Sequence, residues 1–360
     1  MEIWQWFQSF ERRALLNGDV ERLRLTELHS VFWQQVETNP QYSLSMLDEG
    51  VALAQHLDEP CWEMFHRYWR IEVYLFYLDD LALALEEAID LMLLTRKQGY
   101  KDCPVIPRVH RIMMDTYVYI DPVGYADDIE GMMQHMESEM QLDYSTRLLI
   151  QGRKVKLKEA FEDYPAAVAE AQKLLAMSEY HTFRQAHAVH MLCSLAAVQG
   201  QNDLSLQYAN EMERLAHEIQ RKGTLAMSTA WKCLIYKRRG DNDKAGEMYR
   251  QATSQMEKLG TTPSNYYYDI LAEYHERDND IATAIMIRDK QYEELIGRGA
   301  YHDVCEYWLK RARLEGRNGH AVDTSIKQAQ IAAQDLRKPQ HYLSRLQQVI
   351  DGDYQDIIQD

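Results

Sequence analysis

The sequence predicts an all-α protein built as an array of helical hairpins. Helix-forming residues dominate the 360-residue chain, and its few glycines and prolines fall between periodic segments. A small residue that follows a polar turn recurs about every 40 residues along almost the whole chain. No run of alternating β-branched residues bounded by turns is present. These observations favour a solenoid of repeated helix pairs over two ordinary globular domains.

The recurring feature is a six-residue turn that ends in a small residue, and residues 240–245 (GDNDKA) are its clearest copy. We name the helix before each turn A and the helix after it B. A small residue near the start of a B helix lets the two helix backbones approach closely. The small residues lie 37 to 42 positions apart, at Ser43, Ala82, Gly124, Ala166, Ser205, Ala245, Ala282 and Ala321.

Residues 1–18 predict an N-terminal capping helix, whose Trp4, Phe7, Phe10 and Leu15 cover the apolar end of the stack. Residues 19–337 predict about eight repeat units, 338–350 a closing helix, and 351–360 an acidic tail. The predicted A helices are 61–78, 106–120, 145–161, 181–199, 224–239, 264–277 and 301–317.

Turn residues support these boundaries. An N-cap side chain accepts a hydrogen bond from a free backbone N–H at the start of a helix, and proline is tolerated at the next position because it has no N–H. Three such pairs occur, Asn39-Pro40, Asp121-Pro122 and Thr262-Pro263. Further predicted N-caps of B helices are Asp203, Asp243 and Asp280.

The segment GDNDKAGEMYRQA resembles the second-helix signature of tetratricopeptide repeats (TPRs). Gly240, Ala245, Tyr249 and Ala252 stand at the matching positions, and Tyr236 matches the aromatic residue that closes the first helix of that family. The resemblance covers nearly the whole chain by period, although the unit is longer than the usual ~34 residues. It implies a right-handed α-α superhelix in which A helices line the concave face and B helices the outer face.

Composition limits the functional class. The net charge of −16 argues against general affinity for nucleic acid or anionic membranes. The start MEIWQWFQSF lacks the pattern of a secretory leader, and no apolar run is long enough for a membrane span. Five separated cysteines without a C-x-x-C pair predict reduced thiols in a cytoplasmic protein.

Motifs for catalysis or for cofactor binding are missing from the sequence: it has no phosphate-binding loop, no dinucleotide fingerprint, no H-E-x-x-H and no nucleophile elbow. His187 and His190 lie three residues apart on an A helix, with His181 upstream. A metal there needs a further ligand from a neighbouring unit, so polar lining of a groove is the favoured interpretation. The sequence therefore predicts neither catalysis, nor a cofactor, nor a metal.

Positive charge concentrates on the A helices although the chain is acidic. The seven A-helix spans carry 19 basic and 10 acidic residues, a net charge of +9 against −25 for the remainder. The helix dipole explains part of this asymmetry, because cations in last turns gain about 0.3–1 kcal/mol without a ligand. The rest predicts a concave groove in which Arg binds carboxylates and aromatic rings bury apolar side chains. The predicted groove residues are Arg67, Tyr74, Arg111, Tyr117, Arg153, Lys154, His187, His190, Lys232, Tyr267, Tyr274, Trp308 and Lys310.

The predicted function is a non-catalytic scaffold or adaptor that binds an acidic peptide or partner protein in this groove. The first alternative is a peptide- or ligand-controlled regulator, whose groove occupancy changes the superhelix pitch and modulates a partner. An enzyme and a single-stranded RNA-binding protein remain further alternatives. The acidic tail, with Asp351, Asp353, Asp356 and Asp360 beside Ile357 and Ile358, resembles the proposed ligand and predicts possible self-association.

Overall fold

The computed structural model describes residues 3–259 and 264–354, and these residues form helices and turns without any strand. None of the helices in these two ranges is long and apolar enough to cross a membrane. The predicted all-α class is therefore confirmed. In chain order the helices are α1 (Ile3–Asn17), α2 (Val20–Gln35), α3 (Pro40–His56), α4 (Pro60–Phe76), α5 (Leu81–Leu94), α6 (Ile106–Ile120), α7 (Ala126–Glu139), α8 (Tyr144–Ala160), α9 (Tyr164–Met177), α10 (Thr182–Val198), α11 (Asn202–Glu218), α12 (Lys222–Arg238), α13 (Asn242–Leu259), α14 (Asn265–Arg277), α15 (Ile281–Leu295), α16 (Tyr301–Arg317), α17 (Asp323–Ala332) and α18 (Gln340–Ile350).

The even-numbered helices from α4 to α16 coincide with the seven predicted A helices to within two residues at each end. The odd-numbered helices from α3 to α17 are the B helices. With α2 as the first A helix, this gives eight hairpins, from α2/α3 to α16/α17. The predicted pattern of helix pairs is thus confirmed, with α1 before it and α18 after it.

The predicted helix starts agree with the structure at some positions and differ at others. Asn39 accepts a hydrogen bond from the backbone N–H of Tyr42, and Asp280 caps α15 through Thr283 in the same way. Asp121 does not cap a helix, because its side chain accepts from the N–H of Gly124 in a turn that precedes α7. Two other predicted caps, Asp203 and Asp243, lie inside the first turns of α11 and α13, and Thr262-Pro263 falls outside the described residues.

The turn between A and B helices has a more regular register than the sequence predicts. A residue with left-handed backbone ends the A helix, and the buried small residue follows five positions later. Gly240 (φ +77°) and Ala245 form such a pair, as do Asn279 (φ +59°) and Ala284. Asp79 (φ +53°) likewise precedes Ala84 rather than the predicted Ala82, which is exposed. The predicted Ala282 is exposed as well, and both predictions miss the register because Asp79 and Asn279, rather than glycines, hold the left-handed position, which their short polar side chains tolerate.

The chain divides into two compact units. Unit 1 comprises the residues up to Ile120, Tyr125–Arg147 and Gly297–Ala300, whereas unit 2 comprises Asp121–Gly124, Leu148–Ile296 and the residues from Tyr301 onward. The core of unit 1 is aromatic, with Phe32, Trp62, Phe65 and Tyr68 almost fully buried. Unit 2 has aliphatic and small core residues, clustered around α10, α12 and α14 and again around α16 and α18.

The predicted reduced state of all five cysteines is wrong for one pair. Cys61 at the start of α4 and Cys103 in the loop before α6 form a disulfide, with their Cα atoms 5.1 Å apart. Sequence spacing hides this pair, because the two residues are 42 positions apart and meet only through the hairpin geometry. The other three cysteines, Cys193, Cys233 and Cys305, are buried and unpaired. Since disulfides are typical of oxidising compartments, the cysteines no longer support the predicted cytoplasmic location.

Candidate functional site

Carboxylates on one face of α14 form ion pairs with Arg side chains of the neighbouring helices in unit 2. Glu273 accepts hydrogen bonds from the Nε and Nη2 atoms of Arg238 on α12, both at 2.7 Å. Glu276 accepts from the Nε and Nη2 atoms of Arg317 on α16, both at 2.9 Å. Both contacts are bidentate, the geometry in which Arg recognises a carboxylate most strongly. Cations from the two flanking A helices therefore bind α14.

Asp269 extends the same acidic face by one helical turn, four residues before Glu273. Its carboxylate accepts a hydrogen bond from Lys310 Nζ on α16 at 2.6 Å and also contacts Arg288 on α15. Burial acts to raise the pKa of Asp269, but the charges of Lys310 and Arg288 lower it to about 2. The carboxylate is therefore charged at neutral pH, and the predicted groove residue Lys310 holds an internal anion.

The inner side of α8 contacts α14 within unit 2. Tyr266 donates a hydrogen bond from its hydroxyl to Glu159 at 2.6 Å, and Lys156 Nζ donates to the same carboxylate at 2.7 Å. The Lys156 ammonium also contacts the Tyr266 hydroxyl and lies 4.7 Å from the centre of its ring. These partners are more than 100 residues apart in sequence, so α14 lies against α8 although several helices separate them along the chain.

His187 and His190 of α10 belong to this inner region, and the His190 ring lies 5.4 Å from that of Tyr266. Burial lowers the pKa of His187 to about 3 and that of His190 to about 4, so both are neutral at pH 7. Within residues 3–259 and 264–354, no group of three His, Cys, Asp or Glu side chains is arranged to hold a metal ion.

The remaining predicted groove residues of unit 2 occupy varied environments. Lys232 is buried and donates to Glu213 at 2.5 Å, while Tyr274 stacks on the ring of Tyr249 at 4.7 Å. Tyr267 belongs to the apolar core around α12, and Trp308 packs against the apolar cluster of α16 and α18. On α8, Arg153 is buried and Lys154 is half-buried.

The four predicted groove residues of unit 1 also have intramolecular contacts. Arg67 donates to Glu63 at 3.1 Å. Arg111 is buried between Asp115, at 2.5 Å, and the Glu72 carboxylate. The other two are aromatic: Tyr74 is half-buried, and Tyr117 stacks on Tyr125 with the ring centres 4.1 Å apart.

Aromatic rings cover the A-helix side of unit 1. Trp33 of α2 is 57% exposed and packs edge-on against Trp69 of α4, with the ring centres 5.2 Å apart. Trp4 of α1 is 45% exposed and lies 6.4 Å from the ring of Phe65. The Arg108 guanidinium of α6 lies 5.6 Å from the centre of the Trp4 ring. The structure thus brings together aromatic groups from α1, α2 and α4 and a guanidinium group from α6.

The acidic side of α14 was not among the predicted site residues, although the sequence carries a signal for it. Of the seven predicted A-helix spans, 264–277 alone has more acidic than basic residues. Its three carboxylates, Asp269, Glu273 and Glu276, are spaced by four and three residues, which places them on one helix face. An acidic A helix between basic A helices predicts the observed ion pairs.

Comparisons with known proteins yield a structural similarity and no sequence relative. No family model matches the chain, and no curated protein matches it. A solved structure of a tetratricopeptide repeat protein from Parabacteroides merdae ATCC 43184 is similar, with 12% sequence identity and a TM-score of 0.43. The match covers 80% of this chain and 99% of that protein.

Proposed function

We propose that this protein is a non-catalytic scaffold that binds an acidic peptide or partner protein on the A-helix faces of unit 2. The observation that supports this proposal is the bidentate binding of Glu273 and Glu276 by Arg238 and Arg317. These pairs are an internal example of basic A helices that bind an acidic helix. A partner helix with acidic residues four and three positions apart has the same charge pattern as α14.

The basic side of α8 is the part of unit 2 that we assign to such a partner. The predicted span 145–161 carries five basic residues, the largest number in any A-helix span, and one acidic residue; its net charge of +4 equals that of 224–239. Arg153 and Lys154 lie on this helix, and α10 contributes the neutral His187 and His190 beside it. A partner carboxylate has to replace the intramolecular contacts that Arg153 and Lys154 already make. We therefore expect modest affinity with a steep dependence on salt.

The test uses a fluorescent helical peptide with the α14 spacing of acidic residues, titrated with the full chain. Lys154→Glu is expected to weaken binding by about tenfold, because it replaces attraction with repulsion at the proposed face. Lys290→Glu on the B helix α15 makes the same charge change at an exposed position and is the matched control. Equal affinities of both variants and the wild type contradict the proposed site, and binding of an oligonucleotide in place of the peptide contradicts the proposed ligand.

A regulatory role is the second candidate, and the contact of Lys156 with Tyr266 favours it. This contact joins α8 to α14, so an acidic ligand that competes for Lys156 weakens the contact between these two helices and expands unit 2. Small-angle scattering during the same peptide titration distinguishes the two functions. A larger radius of gyration at saturation indicates a regulator, whereas an unchanged radius indicates a rigid scaffold.

A further inference from the structure

The N-terminal helix α1 does not continue the stack of hairpins. Phe7 of this predicted capping helix contacts His29 of the first hairpin, with the ring centres 5.4 Å apart. Its aromatic side chains also reach the second A helix: Trp6 lies 4.9 Å from Trp62 of α4, and Phe7 lies 6.1 Å from Phe65. Trp4 extends these contacts to Arg108 of α6. Helix α1 therefore lies across three successive A helices of unit 1.

One apolar face holds α1 in this position. Ile3, Phe10 and Ala14 are buried, at spacings of seven and four residues that place them on one side of the helix. On the other side, the exposed residues Gln5, Gln8 and Arg12 are polar, and exposed Leu15 and Leu16 interrupt this polar face only in the last turn. Helix α1 thus has the form of an amphipathic ligand that lies in a groove.

The connection between α1 and α2 is a turn at Gly18. Gly18 has a positive φ of +66°, and no atom lies within 4 Å of the position that a Cβ would take. The side chain of Asp19 caps α2 by accepting a hydrogen bond from the N–H of Arg22 at 3.0 Å, whereas its backbone N–H donates to the carbonyl oxygen of Ala14 in α1 at 2.9 Å. Rotation at Gly18 therefore moves α1 without removing the cap of α2.

The aromatic surface under α1 is longer than α1 itself covers. His29, Phe65 and Trp69 form a continuous set of rings, with His29 5.5 Å from Trp69. Trp33 continues this set beyond α1 and is 57% exposed. Trp and Arg are among the residue types that contribute most to protein interfaces, and this surface offers Trp33 together with Arg108, whose guanidinium lies over the ring of Trp4 on α1.

We propose that the surface formed by His29, Trp33, Phe65, Trp69 and Arg108 is a docking groove for an amphipathic helix of a partner protein. The partner helix carries aromatic residues at the spacing of Trp6, Phe7 and Phe10, with one more aromatic or aliphatic residue over Trp33. Helix α1 occupies the groove in cis and competes with the partner. This groove lies in unit 1 and takes an apolar ligand, so the proposal is independent of the acidic-peptide function in unit 2.

The test measures binding of a labelled peptide, with the sequence of residues 3–17, to the full chain. Trp6→Ala with Phe10→Ala in the protein weakens the cis helix and leaves the groove residues unchanged. We expect this variant to bind the peptide at least about tenfold more tightly than the wild type does. A peptide with Trp6, Phe7 and Phe10 all replaced by Ala is the matched control and is expected not to bind. Equal, weak binding of the intact peptide to both proteins overturns the proposal.

If the double variant does not fold, amide hydrogen exchange on the wild-type chain tests the proposal. The amides of α1 are expected to exchange at least about tenfold faster than those of α2 and α4, because α1 opens on its own. Exchange of α1, α2 and α4 in one cooperative step overturns the proposal, since α1 is then an integral core helix. Concentration-dependent dimers that exchange α1 also overturn it, because a second copy is then the occupant.

Discussion

Replacing Gly50 with alanine is expected to destabilise the protein, although alanine is the better helix former. Gly50 lies in α3, and a Cβ at this position would lie 2.7 Å from three atoms of the His66 ring on α4. His66 is fully buried, so its ring or the two helices must shift to accommodate the added methyl group. We expect the free energy of unfolding to fall by up to about 2 kcal/mol, because an overpacking cost of about 1–3 kcal/mol exceeds the gain of about 1 kcal/mol in helix propensity. Urea unfolding followed by circular dichroism measures this change.

The matched control for this substitution is Gly131→Ala. Gly131 lies inside α7, is exposed, and has no atom within 4 Å of its Cβ position. There the same change is expected to stabilise the protein by up to about 1 kcal/mol. Opposite signs at the two positions support the close approach of α3 and α4. A stabilising effect at both contradicts the packing of this hairpin.

Acidification is expected to destabilise unit 1 well above the pH at which its carboxylates are protonated. Burial lowers the pKa of His29 to about 4 and that of His66 to about 3, with a smaller effect of His29 on His66. In the unfolded chain both titrate near about pH 6.5, so the unfolded state binds more protons between these values. Above about pH 6.5 both rings are neutral in the folded and unfolded states, so they do not reduce the free energy of unfolding. As the pH falls toward 4, protonation of the unfolded chain lowers that free energy. At about pH 5 the loss is about 2 kcal/mol for each histidine.

His29→Phe tests the origin of this pH dependence. The ring of His29 lies among the aromatic rings of Phe7, Phe32, Phe65 and Trp69, so phenylalanine fits the chemistry of the site. The variant is expected to lose about 2 kcal/mol less than the wild type between about pH 7.5 and about pH 5. An unchanged pH dependence assigns the acid sensitivity to other groups and contradicts the burial of a neutral His29.

The sequence predicts the helices well because the turns between them have local signals. Left-handed residues such as Gly240 and buried small residues such as Ala245 depend on neighbours within one hairpin. The position of α1 and the Cys61–Cys103 bond depend on contacts between different hairpins. Residue types and spacing do not define such contacts, so the sequence predicts neither the disulfide nor the contacts of α1 with α4 and α6.

The candidate site shows the same difference between local features, which the sequence predicts, and contacts between hairpins, which it does not. Charge counting locates basic residues on A helices correctly, since the helix assignment is correct. It does not reveal which carboxylate each cation meets, as with Arg111 between Asp115 and Glu72 or Lys310 beside Asp269. The predicted groove residue Tyr267 is instead a core residue, because three consecutive tyrosines give no indication of which side faces the next helix. Residues 355–360 of the acidic tail lie outside the described part, so self-association through the tail remains a proposal.

The most direct measurement of the central claim is photo-cross-linking of the acidic helical peptide to the full chain, followed by mapping of the modified residues. We expect cross-links on α8 and α10, and their loss at about 1 M salt, where charges are screened beyond about 3 Å. Cross-links that fall on the B helices, or that persist at high salt, contradict the claim that A-helix cations of unit 2 bind an acidic partner.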